Sequence, residues 1–236
     1  MSGEPGALTQ QDSGDRAAET DPRPTAGAAG VPAPWARLAL DLFERAFVIA
    51  LFAWLTWSVV AAVGRGATWV NLLQLGAEGL NVVFIVLRRR ALATSYRPAD
   101  WAVALGAVSF SMAVRPGALP PLASPAIAAA LILAGFGLQI WSKLTLRRSF
   151  GITPANRGLV VRGPYRYVRH PMYLGYLLGW IGFYMLNPTL WNTNVYALCA
   201  LLQWLRIEAE ERVLAEDPAF AAYRAEVRYR VVPGVY

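Results

Sequence analysis

The sequence has almost nothing with which to hold a metal or close a disulfide: among 236 residues there is one cysteine, Cys199, and one histidine, His170. A lone cysteine has no internal partner, and Cys199 lies within an apolar run, so it reads as a small buried side chain rather than a nucleophile or zinc ligand. No metal site is expected. Charge is also scarce. Only 16% of residues are charged, against about 25% in soluble domains, whereas 56% are hydrophobic and occur in long runs. The natural solvent for much of the chain is therefore lipid. The formal charge of +7 does not point to nucleic acid, because the arginines cluster at the ends of apolar runs, as they do at a cytoplasmic membrane face.

Residues 1–33 are rich in Gly, Ala, Pro, Asp, Glu and Thr, with almost no large apolar side chain. Such a segment cannot offset the entropy of ordering and is expected to be a disordered tail. It lacks the basic start and apolar core of a secretory signal. The chain is then expected to be all-α and polytopic, with about six transmembrane helices. Residues 34–120 hold the first three: Trp35–Val63, with Arg37, Asp41, Glu44 and Arg45 at the interface and the span proper from Phe47; Trp69–Leu87, stopped by Arg88-Arg89-Arg90; and a short one, Trp101–Val114. Gly64 and Gly66 close the first. Residues 121–236 hold Pro125–Leu146, capped by Ser124, and the pair Pro171–Leu186 and Trp191–Ile207. Asn187-Pro188-Thr189 is tight enough to make that pair an antiparallel helical hairpin. Residues 218–230 read as a short amphipathic helix. Arginine bias puts the basic connections and both termini in the cytoplasm, with only Arg65 and Arg115 opposite. The arginine-rich, lysine-poor composition fits a bacterium of high genomic GC content, hence its inner membrane.

One segment is too polar to cross a bilayer yet dense in aromatic, glycine and arginine residues: Lys143–Tyr173. Within it, Gly158-Leu-Val-Val-Arg-Gly-Pro-Tyr165 has strand or turn propensity, with glycines where the backbone can bend or approach a ligand. Pro171 suits the first turn of a helix whose free amides would welcome a carboxylate. His170 can donate or accept near neutral pH, Arg169 can pair with an anion, and Tyr165, Tyr167 and Tyr173 offer faces for an adenine or ribose. A second constellation ends the last span. Glu208 shares a helix face with Glu211 and Arg212, and Arg206 and Glu210 lie four apart; Glu208 and Arg212 read as solvated charges beyond the bilayer, leaving Arg206, Glu210 and Glu211 as the functional candidates.

Gly158-Leu-Val-Val-Arg-Gly-Pro-Tyr-Arg-Tyr-Val-Arg-His-Pro-Met-Tyr-Leu-Gly175, a helical hairpin, Glu210-Glu211 and Phe220-Ala-Ala-Tyr223 together resemble the isoprenylcysteine carboxyl methyltransferase family, part of a wider group that includes phospholipid N-methyltransferases. The resemblance covers about residues 125–233. It implies a cytoplasm-facing pocket for S-adenosyl-L-methionine touched by Arg169, His170, Pro171 and Tyr173. Tyr165 and the backbone of Leu159, Val160 and Val161 would close around it, and Gln139 would meet the amino-acid end. It also implies that Arg206 and Glu210 or Glu211 lie near the acceptor and the transferred methyl. Arg157 departs from the pattern, standing where eukaryotic members carry a histidine, and the spacing after the glutamates is one residue shorter.

Methyl transfer needs alignment and exclusion of water more than covalent help. A carboxylate acceptor needs no base, whereas an amine or thiol needs one, which a glutamate supplies. The expectation is therefore S-adenosylmethionine-dependent methylation of a lipophilic, membrane-embedded acceptor such as an isoprenylcysteine carboxylate, a lipid or a thiol. Two other readings compete: a membrane NADPH-dependent reductase of the sterol-reductase type, and a non-enzymatic membrane scaffold.

Overall fold

The structure, a computed structural model, describes residues 32–63, 69–117 and 119–235. The tail expected to be disordered, and Gly64 to Gly66 at the end of the first span, lie almost wholly outside these residues. Seven α-helices account for most of the described chain: α1 (Pro34–Val63), α2 (Trp69–Leu87), α3 (Pro98–Phe110), α4 (Pro125–Leu146), α5 (Pro171–Leu186), α6 (Leu190–Leu214) and α7 (Pro218–Glu226). Starts follow the caps the sequence supplies. The Ser124 hydroxyl accepts from the Ile127 amide, Thr189 from Asn192, and Asp217 from Ala219, and Pro occupies the first turn of α3, α4, α5 and α7. The expected all-α architecture acquires one small exception. A two-residue antiparallel ladder pairs β1 (Ala93–Thr94) with β2 (Ala155–Asn156). Residues 158–165, expected as strand or turn, form no strand; Gly163–Arg166 is a single 3₁₀ turn.

The closest helix packing is between α4 and α5. It is made by glycine. A Cβ on Gly135 would fall 2.6 Å from the Gly175 carbonyl oxygen, and one on Gly182 would fall 2.7 Å from that of Ala128. Small residues let backbones approach this closely, a common device where lipid removes the hydrophobic drive for association. The expected α5–α6 hairpin is present as a tight joint but not as a packed pair. α6 packs mainly on α3, and α5 meets α6 largely through aromatic rings, Trp180 and Tyr184 against Tyr196. Asn192, fully buried, secures this end by bonding both the amide and carbonyl of Arg115 and the carbonyl of Asn187.

Among the described residues, Pro125–Ser149 is the helical stretch long and apolar enough to cross a membrane by length and composition. The outer faces of the other helices are also apolar. Trp35, Leu38, Trp54, Trp57 and Val60 on α1 and Trp191, Leu201 and Trp204 on α6 are 47–75% exposed. Soluble monomers rarely expose contiguous apolar surface on this scale.

Candidate active site

The site is assembled at the end of the bundle where α4 finishes, α5 begins and α6 runs into α7. After α4 the chain turns at Arg147, in a positive-φ conformation, and crosses as residues 149–162 before re-entering at His170. Two devices hold this crossing segment. Asn156 accepts from the Gly158 amide at 2.9 Å, an Asx turn that sets up the positive φ of Gly158. Glu44 reaches in from α1, and its carboxylate accepts from the amides of Ile152 and Thr153 and the Thr153 hydroxyl at 2.8–3.1 Å. Glu44 was expected at the membrane interface. It is instead 1% exposed and paired with the buried Arg88.

The far wall comes from the C-terminus. Arg169 and His170 donate their amides to the carbonyls of Tyr229 and Arg230, so residues 229–230 lie alongside the segment that starts α5. Glu211 locks the two together. It receives Arg169 Nε at 2.8 Å, His170 Nε2 lies at 3.1 Å, and Arg230 approaches at 3.1 Å. Burial alone would raise the Glu211 pKa, but the bonds to His170 and Arg169 outweigh it and hold the group at about 2. The Tyr223 hydroxyl donates to the Tyr165 carbonyl oxygen at 2.7 Å and draws α7 over the opening.

These elements enclose about 800 Å³ of empty space, counting its open mouth, lined by Gly158, Leu159, Val160, Tyr165, Arg169, His170, Tyr173 and Glu210 among others. Here the adjacent glutamates part company. Glu210 lines the pocket, where it accepts from the Tyr173 hydroxyl at 2.6 Å and pairs with Arg206 Nε at 3.2 Å, while His170 Nδ1 stands 3.7 Å away. Glu211 lies behind the wall. Arg206, 2% exposed, sits over the Tyr173 ring at 5.4 Å and donates to the Gly151 carbonyl oxygen at 3.3 Å.

Of the residues expected to form the site, Leu159, Val160, Tyr165, Arg169, His170, Tyr173 and Glu210 therefore meet at one pocket, with Arg206 directly behind them. Gln139 is buried in the α4–α5 contact, where it fills the space beside Gly175. Pro171 is buried in the first turn of α5, Val161 is 40% exposed outside the lining, and Tyr167 is 70% exposed. Glu208 and Arg212 do not pair with each other, since Glu208 takes Arg230 and Arg212 takes Asp100. Sequence reasoning missed Gly151, Thr153 and Met172 as lining. Thr153 enters through its tie to Glu44, 109 residues away, and Gly151 through its carbonyl oxygen, which accepts from Arg206, contacts that no local pattern announces.

Residues 123–217 match the family model described as phospholipid methyltransferase. The match runs from the cap of α4 to the start of α7 and so contains most of the pocket. This segment is similar to methyltransferases of the wider phospholipid and isoprenylcysteine superfamily, without the isoprenylcysteine branch being singled out. No curated protein matches the chain.

Proposed function

We propose that the protein is an integral membrane methyltransferase that moves a methyl group from S-adenosyl-L-methionine to a lipophilic acceptor. The observation that carries this reading is the coincidence of the Tyr173–Glu210–Arg206 cluster, with His170 beside it, with the segment matching the methyltransferase family. The lining fits the cofactor. Tyr165, Leu159, Val160 and Phe220 provide apolar and aromatic walls for an adenine, and Glu210 is a carboxylate able to face a sulfonium. When bound, the cofactor supplies a methyl that is already electrophilic. Arg206 and the Tyr173 hydroxyl orient the Glu210 carboxylate, and Tyr173, Met172 and Leu214 line the pocket as groups that would exclude water from it. With an amine or thiol acceptor, Glu210 would be the group placed to take up the proton that the acceptor gives up on methylation; a carboxylate acceptor would need no such base.

Six spans, α1 to α6, with both termini on the cytoplasmic side of a bacterial inner membrane, suit this chemistry. They are supported by the exposed apolar faces and the arginine distribution. The short α3 and α5 are accommodated by longer neighbours. Calorimetric titration of S-adenosylhomocysteine and, separately, NADPH into detergent-purified protein tests the reading. S-Adenosylhomocysteine is expected to bind and to lose at least tenfold in affinity in His170→Ala. NADPH binding instead would move the case to a reductase, and binding of neither by folded protein would refute both enzymatic readings.

A further inference from the structure

Glu44 and Arg206 hold opposite ends of one peptide group. The Gly151–Ile152 peptide is trans, as no cis bond occurs among the described residues, so its N–H and C=O point in opposite directions from one rigid plane. The Ile152 amide donates to the Glu44 carboxylate at 3.0 Å, and the Gly151 carbonyl oxygen accepts from Arg206 Nη2 at 3.3 Å. An anion therefore faces the positive end of the peptide dipole and a cation its negative end. Bonds to ionised groups are stronger than neutral ones, and bonds in series polarise one another. The row continues on both sides. Outward, Glu44 pairs with Arg88 at 2.7 Å, and Arg88 pairs with Asp41, which also takes Arg45. Inward, Arg206 Nε stands 3.2 Å from Glu210 Oε1, the oxygen that also accepts from the Tyr173 hydroxyl. The charges alternate in sign from Arg45 to Glu210.

Hydrogen bonding is what sets the plane of this peptide. Phe150 and Ile152 are anchored by side chains that join Val48 and Ile85 in the core. That fixes the path of the chain, but not the rotation of the peptide between Gly151 and Ile152, which a glycine resists less than any other residue. A larger residue at 151 is excluded, because its Cβ would overlap the Arg157 guanidinium. The flanks of the crossing segment are also open: Thr153 and Arg157 line the first cavity and a second one bounded by α1. Beyond its ion pair with Glu210, the one hydrogen bond that the Arg206 guanidinium donates among the described residues goes to the Gly151 carbonyl oxygen. A rotated peptide would take that bond away. Glu44, with Arg88, stands before the segment that matches the methyltransferase family, whereas Gly151, Arg206 and Glu210 lie within it.

We propose that Glu44 is a positioning residue for the pocket: by holding the Gly151–Ile152 peptide it sets Arg206, and Arg206 sets the Glu210 carboxylate. The proposal rests on the methyltransferase reading only for what Glu210 faces, a sulfonium. Glu44 lines the second cavity and not the first, so α1 acts on the site without touching the cofactor.

The test titrates S-adenosylmethionine and S-adenosylhomocysteine into the detergent-purified full chain by calorimetry. Glu44→Ala is expected to weaken S-adenosylmethionine at least about threefold and S-adenosylhomocysteine less than about twofold, the signature of a displaced carboxylate rather than of a loosened pocket. Glu44→Gln keeps an oxygen for the two amides and is expected to restore S-adenosylmethionine to within about twofold of wild type. It still melts lower than wild type, because Arg88 loses a charged partner. In a Glu210→Gln background, Glu44→Ala is expected to add no further discrimination between the two ligands, since its effect runs through Glu210. Should Glu44→Ala not fold, Glu44→Ala/Arg88→Met removes both charges of the buried pair and carries the same expectation. Equal loss of both ligands, or loss of neither, overturns the proposal, as does a further selective loss in the Glu210→Gln background. A Glu44→Gln variant that loses S-adenosylmethionine as Glu44→Ala does also overturns it, and would assign Glu44 to balancing Arg88. If wild type binds neither ligand, thermal melts decide. Non-additive shifts for Glu44→Ala and Arg206→Met would keep the positioning role and remove the methyltransferase reading, whereas additive shifts would overturn the proposal as well.

Discussion

Replacing Glu211 by alanine should unfold the site's back wall rather than merely silence it. The carboxylate is 6% exposed on its side chain and is the meeting point of Arg169, His170 and Arg230, which come from the start of α5 and from the C-terminal segment. Its loss leaves the Arg169 guanidinium, 5% exposed, with only the carbonyls of Val227 and Arg228. Removing one partner of a buried pair costs about 3–5 kcal/mol. In a chain of this length each kcal/mol is worth about 2–4 °C in melting temperature, so Glu211→Ala should melt at least about 6 °C lower. The pH dependence gives an independent check. Glu211 lies beyond the apolar stretch of α6 that ends at Ile207, and its folded pKa of about 2 is below the ordinary 4.5. A depressed carboxylate stabilises the fold fully above its unfolded pKa, and that stabilisation disappears as pH falls from 4.5 towards 2. A depression of this size is worth about 3 kcal/mol. Thermal melts of wild type and Glu211→Ala in detergent between neutral pH and pH 3 measure both effects, and the gap between the two proteins should narrow on acidification. A variant melting within about 2 °C of wild type at neutral pH, or a gap independent of pH, would refute the assignment of Glu211 to the wall.

Glu210→Gln should weaken S-adenosylmethionine about tenfold, a difference of about 1.4 kcal/mol, and S-adenosylhomocysteine by less than threefold, because only the former carries a sulfonium for the carboxylate to face. Equal losses for both ligands, read by calorimetry, would move Glu210 away from the sulfur. Gly135→Val should destabilise the protein by at least about 1–3 kcal/mol, since even its Cβ would press on the Gly175 carbonyl. An unchanged melting curve would mean that α4 and α5 are not in such close contact.

Much of this architecture is written locally. Apolar runs, a Ser124-Pro125 start, arginine stops and the Asn187-Pro188-Thr189 joint define helices whose observed limits mostly lie within a few residues of those expected, because caps and breakers act on their immediate neighbours; α6 is the exception, continuing past the apolar span's end at Ile207 to Leu214. That Tyr165, Arg169, His170, Tyr173 and one of the two glutamates lie together was implied by the family resemblance of their motifs, and the first four and Glu210 do line one pocket. What the sequence left open was which glutamate faces the pocket. Glu210 and Glu211 are adjacent on α6, and their directions differ by one helical step. Only the position of α6 against α5 and the C-terminal segment sends one into the cavity and the other into the Arg169–His170–Arg230 cluster. Tertiary structure likewise decided that Gln139 is packing and that α5 prefers α4 to its hairpin partner, through glycines whose meaning depends on what lies opposite. It also decided that Glu44, from a helix more than 100 residues earlier, holds the Ile152–Thr153 backbone, and that Arg157 remains buried without a partner between two cavities. Propensity and charge act along the chain and can be read there; the pairing of a buried charge depends on which distant segment arrives beside it.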